Sequence, residues 1–181
     1  MKALKEFDIP FVGLKEGNHK FEYQIDNKFF EEFQFDDFNE VSIDVEIDFE
    51  KKPNLLDLKF NIKGVVNIPC DVTNEPFDLA INGTMPLIVK FGITYNDDND
   101  EILILPHEAY QLNVAQYIYE LIVLSVPKKR VHPKVIDGTM ESDALKKLEE
   151  LRVSNKKKTV DDDATDPRWD KLKDLLTGKN T

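Results

Sequence analysis

One thiol, three histidines and an acidic tetrad are the side chains of this 181-residue chain whose types could do chemistry, and their spacing decides against most of it. Cys70 is the single cysteine, so no internal disulfide can form. A thiolate zinc site would have to draw most of its ligands from elsewhere. His19, His107 and His132 are dispersed, and no Ser, Cys or carboxylate stands in a recognisable nucleophile or metal-ligand spacing. Asp97, Asp98, Asn99 and Asp100 offer oxygen ligands, but the later Gly and terminal Glu of a twelve-residue calcium loop are missing, which leaves a solvated hairpin tip. With seven glycines in the whole chain there is no Gly-rich phosphate loop. The expectation is a protein that is not an enzyme and has no cofactor and no metal site.

What remains is the chemistry of charge. The formal net charge is -11, which argues against a chain built uniformly to grip phosphate. Its distribution is uneven: residues 1 to 127 carry 10 basic and 24 acidic side chains, whereas 128 to 158 carry 10 basic and 5 acidic. An acidic body is therefore followed by a basic segment. Lys128, Lys129 and Arg130 read in two ways, as cations placed at a helix C-terminus and as contacts for nucleic acid. Lys156, Lys157 and Lys158 extend the second reading, while His132-Pro133-Lys134 reads first as a turn.

The elements that would position these groups follow from hydrophobic periodicity. His19 to Ile25 alternates apolar and polar residues, the pattern of a half-buried strand. The phenylalanines between 29 and 40 fit a short amphipathic helix and an irregular connection equally. Ser42 to Glu50 points Ile43, Val45, Ile47 and Phe49 one way and Asp44, Glu46 and Asp48 the other. Leu56, Leu58, Phe60 and Ile62 repeat the alternation after a turn at 51 to 54, predicting a long antiparallel hairpin. Its acidic outer face serves solubility and protection against edge pairing on the simpler reading, and binding on the sharper one. Further strands are expected at Val65 to Ile68, Phe77 to Ile81 and Glu101 to Leu105, with a turn at Asn82-Gly83 before an apolar run from Met85 to Tyr95. Val114 to Val126 changes to helical spacing, and Pro127 ends it.

The fold class is thus α+β: an antiparallel, curved or barrel-like sheet packed by one main helix. The acidic body spans 1–133. Residues 134–164 are too polar to repay ordering by burial and read as a charged, flexible linker, with one helical stripe at Leu145, Leu148 and Leu151. Residues 165–178 then form a short terminal helix. Asp166 is a good N-cap, Pro167 suits the first helical position, and Trp169, Leu172 and Leu176 share a face. Met1 to Pro10 lacks the apolar run of a secretory signal and no stretch approaches a membrane span, so a cytoplasmic protein without membrane contact is expected.

Three local patterns together resemble the YceD family, the large ribosomal RNA subunit accumulation proteins. The terminal Asp166-Pro167-Arg168-Trp169, with Leu172, is similar to that family's C-terminal signature. Residues 120 to 127, including Glu120, Leu124 and Pro127, resemble its central helix when followed by His132-Pro133. Residues 68 to 73, with Cys70, Asp71 and Thr73, resemble its strand-turn motif, which often reads Cys-x-x-Cys. Thr73 stands where the second cysteine would be, so a metal or redox role for paired thiols cannot operate, and Cys70 reads as a small buried strand residue. The resemblance implies a bacterial factor, without established catalysis, that large-subunit ribosomal RNA needs in order to accumulate. Its partners would be a ribosomal protein or pre-ribosomal particle bound by the acidic body, and ribosomal RNA near Lys128, Lys129, Arg130 and the lysines at 156 to 158. The competing reading is a protein-interaction module without RNA contact, its terminal helix docked on its own body or on a second copy.

Overall fold

The computed structural model describes residues 3–99 and 101–151. A short 3-10 helix at Ala3–Phe7 leads into β1 (Asp8–Ile9) and the edge strand β2 (Gly17–Ile25). Asp26 then caps α1 (Asn27–Glu32) by accepting the Lys28 N–H at 3.0 Å. The phenylalanine-rich stretch is therefore helix first and irregular connection after, the change marked by Gln34 at a φ of 54°. Phe29 and Phe30 are buried, and the rings of Phe33 and Tyr119 stack at 4.4 Å.

The predicted hairpin is present as β3 (Glu40–Lys51) and β4 (Leu55–Pro69), in the register Val45 opposite Ile62 and Ile47 opposite Phe60. Two expectations change here. Val65 to Ile68 is not a separate strand but the end of β4, and β5 (Pro76–Gly92) is one unbroken strand. Asn82 and Gly83 lie opposite Lys63 and Ile62 instead of turning the chain. Gly83 has a different purpose: a Cβ there would collide with the Ser125 hydroxyl of the covering helix. The missing side chain lets helix and sheet approach.

β6 (Asn96–Asn99) leads to β7 (Ile102–Pro106), which pairs parallel to β5. The sheet is accordingly mixed, with antiparallel pairing elsewhere, and its order β2-β3-β4-β5-β7-β6 is open and not closed on itself. β8 (Leu112–Asn113) pairs with β1 as a second, two-stranded ladder. That ladder anchors the main helix, α2 (Ala115–Ser125): the Asn113 side chain donates to Asp8 at 2.7 Å and to the Leu4 carbonyl at 3.0 Å, while its oxygen accepts the Ala115 N–H. Ala115, Ile118, Leu121 and Ile122 are buried, closing a core with Phe49, Phe60, Leu58, Ile68 and Leu87. Val126 turns extended ahead of Pro127 and ends α2.

α3 (Pro133–Ile136) follows almost at once, capped by the His132 ring, and Val131 and Val135 pack against the core. The compact unit to which all of this belongs ends at Ser142. A second unit begins with α4 (Asp143–Leu151), where Leu145, Leu148 and Leu151 fall at the helical spacing read from the sequence. Lys156, Lys157, Lys158, Asp166, Pro167, Arg168, Trp169 and Leu172 lie outside the described residues. None of the described helices is long and apolar enough to cross a membrane.

Candidate functional site

Two of the sequence patterns, far apart along the chain, meet in space. The turn between β4 and β5 carries Cys70, Asp71 and Thr73, and it is closed by Cys70 N–H to the Glu75 carbonyl at 2.9 Å and by Asn74 N–H to the Cys70 carbonyl at 2.8 Å. Asn74 takes the left-handed conformation, φ 58°, that a tight turn asks of an Asn or Gly. The irregular segment leaving α2 lies against this turn. Asp71 N–H donates to the Arg130 carbonyl at 2.7 Å, and the Asp71 carboxylate accepts from the Arg130 N–H at 2.6 Å and from its Nε at 3.2 Å. One step further on, His132 N–H donates to Cys70 Sγ at 3.3 Å, and the His132 ring lies 5.3 Å from that of Phe77.

The electrostatics follow from those contacts. The Arg130 backbone N–H, and then the guanidinium and the nearby Lys129 charge, hold the Asp71 carboxyl below its ordinary value against a smaller opposing effect of burial. Burial pushes the Cys70 thiol up, but the Thr73 hydroxyl and the N–H groups of His132, Val72 and Thr73 together outweigh it and bring the thiol down to about 7. Thr73 therefore supplies a hydrogen bond where a Cys-x-x-Cys motif would supply a second thiolate. Cys70 is buried as expected, although it sits in the turn just beyond β4 and not within the strand.

The arrangement is a latch that fixes the direction in which the chain leaves α2. Arg130 is half-buried with its guanidinium turned to Asp71, whereas Lys128 and Lys129 are exposed. Pro127 and Pro133 bracket this segment. Glu120 and Leu124 are not part of the latch: Glu120 accepts from Gln116 Nε2 at 2.6 Å on the solvent side of α2, and Leu124 is 80% exposed. Among the described residues no three His, Cys, Asp or Glu side chains gather in a metal-binding group. Pairings such as Asp71 with Arg130 leave no mark in the sequence, because neither residue type nor local spacing announces a partner 59 positions away.

A family model described as Large ribosomal RNA subunit accumulation protein YceD matches residues 58–176. This chain belongs to the YceD family. The match begins on β4 and takes in the turn, β5, α2, both sides of the latch and α4, so the two patterns that meet at the latch both lie within the matched region. The description of the YceD family names accumulation of a ribosomal RNA subunit, not a reaction. No curated protein and no solved structure matches the chain.

The acidic outer face of the hairpin is largely answered by its own neighbours. Asp44 lies opposite Lys63 and Asp48 opposite both Lys20 and Lys59, and Lys20 reaches Glu46 at 2.8 Å. Cross-strand pairs of opposite charge stabilise a sheet modestly and leave little uncompensated field. Acid faces acid at Glu22 opposite Glu46 and at Glu50 opposite Asp57, the second pair sharing Lys52 at 2.9 and 3.0 Å.

Proposed function

We propose that this YceD-family chain is a non-catalytic factor that supports accumulation of large-subunit ribosomal RNA and assembly of the large subunit. Its acidic body binds a basic ribosomal protein or a pre-ribosomal particle, and the segment leaving the body contacts ribosomal RNA. The observation that carries this reading is the family match across both sides of the latch. Charge supports the division of labour, since the body attracts cationic protein and repels phosphate, and Lys128 and Lys129 stand exposed on the segment between α2 and the latch. Arg130, held by Asp71, has the role of aiming its two neighbours. The lysines at 156 to 158 extend the same cationic run in sequence, and the protein works in the cytoplasm, where the large subunit is built.

The test is capture of large-subunit precursors from a bacterial lysate by the tagged full chain, with and without nuclease. The expected result is a ribosomal protein retained after nuclease treatment and additional particle retained without it. Charge reversal at Lys128 and Lys129 removes the nuclease-sensitive part. RNA binding by the purified chain that is indifferent to salt would exclude phosphate contact, because release of counterions makes such binding salt-dependent.

A further inference from the structure

The outer sheet face is mostly paired with lysines, and the latch spends its own charges, so the uncompensated acid of the body must be sought elsewhere. It lies along α2. Between that helix and strands β5 to β7 runs an open groove of about 680 Å3. Its accessible apolar surface comes from Met85 on β5, Tyr95 ahead of β6 and Tyr117 on α2, over a floor of the buried Leu103 and Leu105 of β7. Leu124, the motif residue that the latch leaves unused, stands at one end with 80% of its surface exposed.

The polar lining has one sign. Asp97 and Glu120 are the charged residues of the groove, with no Lys or Arg among the described residues that line it. Asp97 accepts a hydrogen bond from the Tyr95 hydroxyl at 2.9 Å. The Tyr117 phenol registers this field: burial first, then the charges of Tyr95, Asp97 and Glu120, push it up to about 12. From Gln116 to Leu124 the helical wall rises ~12 Å, the length of about two turns of a second helix laid alongside. An apolar channel with an anionic rim is the complement of a helix that is apolar on one face and rich in Lys or Arg on its flanks.

We propose that this groove binds an amphipathic, cationic helix of a basic protein partner, with apolar side chains on Met85, Tyr95, Tyr117 and Leu124 and Lys or Arg groups at Asp97 and Glu120. The assignment deepens the proposed function and rests on it in one respect, that the acidic body is the part that receives a basic protein. It adds where the partner sits and what shape it has. The groove wall includes α2 of the family motif, which separates it from the acidic outer face of β2 to β4.

The probe is a fluorescent amphipathic peptide of about five helical turns, leucines on one face and lysines on the other. It is titrated into the full chain and into two sets of variants. Leu124→Ser, and Asp97→Asn with Glu120→Gln, are expected to weaken binding about tenfold or more. Glu22→Gln with Glu46→Gln removes the same charge from the outer sheet face and is expected to change affinity less than about twofold. Equal losses from both charge sets, unaltered binding by the groove variants, or a complex containing two copies of the chain and no peptide would each overturn the proposal, as would displacement of bound probe by a peptide of residues 164–181 at equal or higher affinity. Backbone amide shifts on peptide addition must cluster on α2 and β7. If the groove variants bind peptide as wild type does while the wild-type chain still captures ribosomal particles, the groove fails and the ribosomal reading stands; if the groove binds as described but no particle is captured, the reverse holds.

Discussion

Asp71 and Arg130 hold each other twice over: the Asp71 N–H donates to the Arg130 carbonyl at 2.7 Å, and the Arg130 N–H donates to the Asp71 carboxylate at 2.6 Å. Two backbone segments 59 residues apart are thereby fixed in direction as well as in distance. A change at either residue disturbs the course of the chain beyond α2, and with it the placement of Lys128 and Lys129.

Asp71→Asn is expected to lower the urea midpoint at neutral pH and to leave the Arg130 guanidinium free. The carboxyl is held below its ordinary 3.8 in the folded protein, so its stabilising effect is complete above that value and fades as pH falls through the lower folded value. Urea midpoints of wild type and Asp71→Asn, measured from neutral pH into the acid range, should therefore converge only below about pH 4. A difference that does not depend on pH would mean that the charge of Asp71 is irrelevant.

Cys70 should titrate near neutrality. Its thiol falls from an ordinary 9.0 to about 7, so the folded state gains stability as pH rises between those two values and gains nothing from this group at lower pH. Thiolate ultraviolet absorbance of the folded chain is expected to show a midpoint about 7, moving upward in Thr73→Val, which loses the hydroxyl donor. Alkylation should nevertheless be slow, since Cys70 is only 2% exposed.

Gly83 is expected to be intolerant of any side chain. Gly83→Ala places a methyl against Ser125 and Leu121 of α2 and should destabilise the fold by about 1–3 kcal/mol. Ser125→Ala in the same chain removes the hydroxyl that collides and should recover part of the loss, so a double-mutant cycle on denaturant midpoints will show a favourable coupling. Independent, additive effects would mean that the helix does not press on this glycine.

Phe30 lies at the junction of three elements, its ring among those of Phe29, Phe35, Phe38 and Tyr119 at centroid separations from 5.0 to 5.9 Å. At 2% exposed it has no way to relax into solvent. Phe30→Ala should cost about 3–5 kcal/mol in chemical denaturation, and Phe30→Leu distinctly less.

The sequence alone determined those features that depend on local periodicity and composition. Alternation of apolar residues fixed β2 and the β3–β4 hairpin with the correct inward face, because one buried face admits only one register parity. Helical spacing and Pro127 defined α2 to within a residue or two, and the order of the three motifs led to the YceD family. Tertiary structure alone decided what depends on meetings between distant segments. The Asn82-Gly83 pair carries a strong local turn signal, yet β4 pairing and the press of α2 draw it into a continuous strand. β7 lies parallel to β5, and no local pattern encodes that choice. The latch, the neutral-range thiol and the groove beside Leu124 likewise arise from contacts across tens of residues. Their energies come from exclusion of water and from hydrogen-bond geometry that exist only once the chain has closed on itself.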